Sequence, residues 1–411
     1  MSATTIIRGL RIIDATGRPP VDHGWLAIEA DRLSEIGSGD PGPVATGITV
    51  IDGAGLTALP GLIDCHAHAA GLHRGDRNTD DSVEGVVADG LDASTGLRQV
   101  LHSGVTSLRD CGYPHHGIFA NRAAIESGLV EGPRLFLSGR AICATGGHGA
   151  QISVEVSGPD EVRRAVRIET KAGADWVKLM VTGGTATPGE AITDVQLTID
   201  EVRAAVEEAH RRGRRVSAHC SNLAGARLAL EAGVDSIEHG IALDTETAER
   251  MAERGAWLSP ALLCTQIEAN SGPESGIPDW VRRKGLEAFG QQRESFQRAL
   301  RAGVRIVAST DAQVPYLALG ADALARELAL MIELGMAAPA AIEAATREAA
   351  ELLNASSEIG TLQAGRLADL ILVEGDPYLD QRVLARPRIV IRAGRIVQSQ
   401  TTSGPTIPAG E

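Results

Sequence analysis

Between residues 58 and 361 the chain repeats one phrase. Apolar residues at helical spacing end in a small residue and glycine, a short apolar run follows, and a polar residue closes it. The phrase runs from Ser103-Gly104-Val105 to Asp110, from Ala172-Gly173-Ala174 to Lys178, from Ala232-Gly233-Val234 to His239, and from Ala302-Gly303-Val304 to Asp311. Glycine just past a helix accepts the left-handed conformation needed there. The apolar run after it suits a strand buried on both faces of a parallel sheet. Strand ends are expected at His66, Asp110, Ile142, Lys178, His219, His239, Pro260 and Asp311. Strands alternating with helices in this way predict an α/β chain folded as a (β/α)8 TIM barrel, with its chemistry at the C-terminal strand ends. A doubly wound open sheet would hold the first and last strands apart, whereas a closed barrel makes His66 and Asp311 neighbours. Among the helices, Asp200 is expected to cap one running through His210, with Val202, Ala205, Val206 and Ala209 on one face. Asp160 is expected to cap another through Lys171.

The two ends follow a different rhythm. Residues 1–57 hold short runs separated by Asp, Gly and Pro: Thr5-Ile6-Ile7, Arg11-Ile12-Ile13, Trp25 to Ile28, and Val50-Ile51. Residues 362–398 hold Leu370 to Val373 and Ile389 to Val397. These patterns predict antiparallel strands. Both ends together are expected to form one small β-sandwich flanking a barrel of residues 58–361. Residues 399–411, rich in Ser, Thr, Gly and Pro, are expected to be a loose tail.

Composition narrows the function. A formal charge of −14 disfavours nucleic acid and anionic membranes as partners. The five cysteines are odd in number and lack CxxC spacing. That disfavours a disulfide framework and fits a cytoplasmic location. Neither a signal peptide nor a membrane span is expected. The polar strand ends carry the chemistry. His66 and His68 stand at i and i+2 on one strand, so both imidazoles face the same way. His219, His239 and Asp311 close three further strands. Taken singly, each has a plain structural role open to it: a surface histidine, or a helix cap for Asp311. Lys178 is the odd member, since an ammonium beside dications is unfavourable. A neutral amine, favoured by burial near cations, can add carbon dioxide and become a carbamate that bridges two metals.

These residues carry a resemblance. Leu59 to His68, Trp176 to Met180, Ser217-Ala218-His219, Ile237 to Gly240, Ser309 to Ala312 and Gly360 to Leu370 are similar to the motifs of the amidohydrolase superfamily, in its binuclear subtype with a carboxylated lysine. The nearest branch is the imidazolonepropionase-like group of prolidases, ochratoxinase-type amidases, and carbamate and phenylurea hydrolases. The resemblance implies two divalent metal ions, zinc first, with manganese or cobalt also suited to such ligands. One ion would take His66, His68, Asp311 and the Lys178 carbamate; the other would take His219, His239 and the same carbamate. A bridging hydroxide would attack the substrate carbonyl. Asp311 would carry its proton to the leaving nitrogen. His148, in Thr145-Gly146-Gly147-His148-Gly149, is the candidate to hydrogen-bond the substrate carbonyl. His115 and His116 are lesser candidates for the pocket, as are Tyr113, Trp257 and Tyr316. Residues 182–189 would form a loop over the site.

The expected reaction is C–N hydrolysis of a small amide, carbamate, urea or peptide-like molecule. Prolidase-like members carry a tyrosine two residues after the strand-five histidine, where it helps bind the substrate carboxylate. Here that position is Ser221, which weighs against an Xaa-Pro dipeptidase or N-acyl amino acid amidase, the alternative. A mononuclear deaminase would place glutamate where Asn222 stands. A non-catalytic scaffold would not need every ligand position filled. The resemblance further implies a homo-oligomer, with an octamer as one form.

Overall fold

The computed structural model describes residues 4–69, 82–313, 320 and 322–399; Tyr316 falls outside them. The two ends meet in one eight-stranded, mostly antiparallel sheet. The strand Leu56–Pro60 pairs parallel with Thr4–Ile12 and antiparallel with Leu370–Glu374. Ile7, Leu10, Leu26, Leu33, Leu370, Leu372 and Ile391, drawn from both ends, share one buried cluster. Two expected boundaries move. The runs at Thr5 and Arg11 are a single strand, Thr4–Ile12, that bulges at Gly9 (φ 75°). The long run after Ile389 is two strands, Ile389–Arg392 and Arg395–Ser399, joined where Ala393 and Gly394 take φ of 47° and 74°.

Parallel strands occupy the middle of the chain. One sheet orders Ser153–Val156, Ala141–Ala144, Trp176–Met180, Arg215–Cys220, Ser236–His239, Trp257–Ser259 and Arg305–Ile306. The other orders Ala312–Gln313, Leu62–His68, Val105–Asp110 and Arg134–Leu137. Backbone hydrogen bonds join the two sheets on both sides. On one side Asp175 N donates to Leu137 O at 2.7 Å. On the other, Val307 N donates to Leu258 O at 3.0 Å, Cys65 N to Ala308 O at 3.0 Å, and Asp311 N to His66 O at 2.7 Å. The strand expected to end at Ile142 is broken into Arg134–Leu137 and Ala141–Ala144 by Gly139, whose φ is 68°.

Helices alternate with these strands along the chain. Gly173, Gly233 and Gly303 each end a helix in the left-handed conformation, as the repeated phrase predicts. The N-terminal caps differ from expectation. The helix Ile199–His210 is capped by Thr198, whose hydroxyl accepts from Glu201 N while the Glu201 carboxylate accepts from Thr198 N. Asp200 therefore lies inside the first turn, because the reciprocal box satisfies two orphan donors where one Asp would satisfy one. Pro159–Ala172 likewise starts after Gly158, with Asp160 inside its first turn beside Pro159 at the first position.

Candidate metal centre and active site

The strand Leu62–His68 is buried along its whole length and sends His66 and His68 into the interior. Their Nε2 atoms lie 3.4 and 3.2 Å from Asp311 Oδ1. Lys178 Nζ, at the centre of a buried strand, is 3.5 Å from His66 Nε2. The His239 ring centroid is 5.1 Å from that of His66 and 4.6 Å from that of His219. His66, His68, Lys178, His219, His239 and Asp311 thus form one continuous cluster assembled from five stretches of chain. His239 and Asp311 both have left-handed backbones, at φ 66° and 53°. Such conformations cost energy in non-glycine residues and concentrate where function demands a particular side-chain direction.

The electrostatics suit a cation. Burial, reinforced by Lys178, pushes the His66 imidazole down to about 4. Burial also takes His239 down to about 3 and holds His219 well below its ordinary value. These three rings are therefore neutral near pH 7, as metal ligands must be. Burial works to raise Asp311, but His66, His68 and His239 together hold it well below the usual carboxylate range. Burial opposes protonation of His68 too, yet Asp311 lifts it above its ordinary value. Neutral imidazoles, an ionised carboxylate and a buried lysine amine form a donor set that fits a divalent ion.

His148 lies beside this cluster, its ring stacked on that of His219 at 4.4 Å. Its Nδ1 is 2.5 Å from Glu190 Oε1 and 3.1 Å from Thr187 Oγ1. Glu190 also accepts from Gly184 N at 2.8 Å and from Gln196 Nε2 at 2.8 Å. Burial raises this carboxyl, but His148 and the two N–H donors outweigh it and leave Glu190 below its ordinary value. The loop is tied from its other side as well. Thr185 Oγ1 donates to Glu268 at 2.9 Å, and Lys284 Nζ donates to the carbonyls of Gly184 and Thr187, both at 3.1 Å.

The profile of the amidohydrolase family matches residues 57–397. The chain belongs to the amidohydrolase family. Ochratoxinase of Aspergillus niger is 31% identical over 365 residues, which cover 81% of this chain and 73% of that one. The crystal structure of a Xaa-Pro dipeptidase with methionine in its active site is 32% identical, with a TM-score of 0.85 over 96% of this chain and 99% of that one. The A. niger ochratoxinase structure is 27% identical, with a TM-score of 0.82 over 97% and 96% of the two chains. The resemblance to the amidohydrolase family, and to its ochratoxinase and prolidase branch, is thereby borne out. This amidohydrolase has a TIM-barrel-type α/β fold and is a hydrolase acting on C–N bonds, in a family that typically binds divalent metals.

Several residues at the amidohydrolase site escaped the sequence reading. Glu238 Oε2 lies 2.9 Å from His66 Nδ1, and both Glu238 oxygens accept from Arg109 Nη2 at 2.8 Å. Burial raises Glu238, but Arg109 and His66 hold it well below the carboxylate range. Asp64 accepts from His66 N and Thr310 N, both at 3.1 Å, and joins the first strand to the segment bearing Asp311. Cys111 comes close to His66 and Glu238, and burial pushes its thiol far up. The only signal for Arg109 and Glu238 was a charge inside an apolar strand. His115 and His116 point to acids instead, 3.3 Å from Asp89 and 2.8 Å from Glu169. Tyr113 is fully buried and Trp257 nearly so, which makes them core residues.

Proposed function

We propose that this amidohydrolase holds two divalent ions, zinc first and manganese or cobalt as alternatives, and cleaves a C–N bond in a small amide, carbamate, urea or peptide-like substrate. His66, His68 and Asp311 would hold one ion, and His219 and His239 the other. Lys178, carrying carbon dioxide as a carbamate, would serve both. The observation that carries this is the burial of the Lys178 amine 3.5 Å from His66 Nε2, among neutral imidazoles and one carboxylate. The strands would close into one barrel, a reading supported by the hydrogen bonds that join the two parallel sheets on both sides. Residues 1–57 and 362–398 would make the accessory β-sandwich.

Bound divalent ions supply a Lewis acid for the carbonyl and a water-derived nucleophile at neutral pH. The protein's own groups do the remainder. Asp311, ionised and partly exposed, accepts the proton of the attacking water and passes it to the leaving nitrogen. His148 hydrogen-bonds the substrate carbonyl as charge develops on it. Glu238, compensated by Arg109, fixes the His66 ring. The six candidate ligands are held together by five stretches of chain, so little reorganisation is needed during the reaction.

For the substrate, the ochratoxinase likeness favours an amide. The Xaa-Pro dipeptidase likeness keeps peptide and N-acyl amino acid cleavage as the second reading. Ser221 weighs against that second reading, since its hydroxyl lies 3.0 Å from His219 Nε2 where prolidase-like members carry a tyrosine. The test is a hydrolysis screen of N-acyl amino acids, dipeptides, aryl carbamates and phenylureas, with metal content measured alongside. We expect two ions per chain in the active enzyme. Lys178→Ala should lose bound metal and reduce turnover on the order of a thousandfold or more. A variant with full activity and two ions would end the carbamate assignment.

A further inference from the structure

We propose that Glu190 is a positioning residue that sets the proton-bearing nitrogen of His148, leaving Nε2 as the atom offered to substrate. The kinetic consequence rests on the hydrolase reading above; the geometry does not. Glu190 Oε1 lies 2.5 Å from His148 Nδ1, while Glu190 Oε2 accepts from Gln196 Nε2 at 2.8 Å. Gln196 Oε1 then accepts from His148 N at 2.8 Å, which closes a ring of three side chains around one histidine. An ionised carboxylate can only accept. Nδ1 must therefore carry the hydrogen, and among the described residues Nε2 makes no hydrogen bond. The carboxylate and the His148 imidazole are both buried, so water competes poorly for either.

The loop sequence is built for this contact. A side chain at Gly184 would run into the His148 ring, and one at Gly183 would meet the Ala191 carbonyl. The two glycines leave the space in which the His148 ring and the Ala191 carbonyl sit while Glu190 accepts from Gly184 N. A tether for the loop alone would be a simpler role for Glu190. The loop already has such tethers on its far side, in Lys284 bonded to two carbonyls and in Glu268 bonded to Thr185. Removing Glu190 should therefore leave the loop seated and release His148.

The experiment combines kinetics and spectroscopy on the metal-loaded full chain. Histidine ring nitrogens are labelled with 15N, and the His148 signals are identified by their loss in His148→Ala. The native protein should show Nδ1 protonated, and Glu190→Ala should shift the ring toward the opposite tautomer. Glu190→Ala should lower kcat on the order of ten- to a hundredfold with KM nearly unchanged and metal content unchanged. Glu190→Gln restores an acceptor and should recover part of the loss; it also serves if the alanine variant folds poorly. The double variant with His148→Ala should be no slower than His148→Ala alone, because both changes remove one function. Multiplying effects, or an unchanged tautomer in Glu190→Ala, would overturn the proposal. Were no substrate cleaved at all, the hydrolase reading would fall, and the tautomer measurement would still decide the role of Glu190.

Discussion

Arg109 and Glu238 show how a single pair can govern the centre without touching a substrate. Both are buried, at 2% and 0% exposure. Ser236 Oγ also donates to Glu238 at 2.8 Å, and the Arg109 guanidinium lies 4.3 Å over the Trp176 ring. Ser236 supplies a hydrogen bond, but the compensating charge for the carboxylate comes from Arg109. Arg109→Met should cost about 3–5 kcal/mol in denaturant unfolding, the usual penalty for stranding a buried charge. It should also weaken metal binding, because His66 loses its fixed partner. Arg109→Met combined with Glu238→Gln should cost less than the sum, since no uncompensated charge then remains; strict additivity would refute the coupling. The metal-ligand candidates were legible because each interrupts or closes an apolar run. Their partners were not. Arg109 and Glu238 lie 129 residues apart in sequence, and nothing local reports that they meet. Strand alternation would also send Glu238 and His239 to opposite faces. The left-handed backbone at His239, at φ 66°, lets both serve the site, and no side-chain periodicity announces such a turn.

Among the elements, the helix–glycine–strand phrase located the buried strands well, because helix C-caps and apolar runs are local signals. It failed where the chain departs from regular geometry. Gly139 splits one strand, and around Asp311 the described chain is strand only at Arg305–Ile306 before it and Ala312–Gln313 after it. The helix Leu262–Asn270 is a further case. Its cap position, Ala261, has φ 48° and offers no side-chain acceptor. Glu327, on the helix Ala323–Glu333, supplies one from outside: its carboxylate oxygens accept from Leu262 N at 3.0 Å and Leu263 N at 2.7 Å. Burial lifts the Glu327 carboxyl from 4.5 to about 8, more than those two bonds lower it. The folded protein therefore binds this proton more tightly than the unfolded chain does. Its contribution to stability is full below pH 4.5 and is lost as pH rises through about 8. Glu327→Gln removes the titration while keeping an acceptor. Between about pH 5 and pH 8 the native protein should lose stability faster than the variant, by at most about 1.4 kcal/mol per pH unit, and the difference should level off above that range. Paired denaturation midpoints across that range test the sign, and a native protein that gains on the variant as pH rises would refute it.

For the molecule as a whole, the sheet made from the two termini is coupled to the site through one residue. The strand Leu56–Pro60 belongs to that sheet, and the strand carrying His66 and His68 begins at Leu62. Gly61 alone separates them, and its N–H donates to Asp369 O at 2.9 Å. The partner strand Leu370–Glu374 comes from the far end of the chain, so both ends set where the two histidines start. Gly61 is not left-handed; glycine is required here by space. A methyl group at this position would collide with the buried Thr106 side chain, on the neighbouring strand Val105–Asp110. Gly61→Ala should therefore push the histidine strand away from its neighbour, costing about 1–3 kcal/mol. A displacement of that kind, passed along a rigid strand, should also lower metal occupancy and turnover. Thr106→Gly opens the same space from the other side, and adding it to Gly61→Ala should restore part of the occupancy, although glycine weakens the strand by roughly 0.5–1 kcal/mol on its own. Metal content of the single and double variants decides the matter. If Thr106→Gly gave no recovery, the collision would not be the route by which the terminal sheet positions His66 and His68.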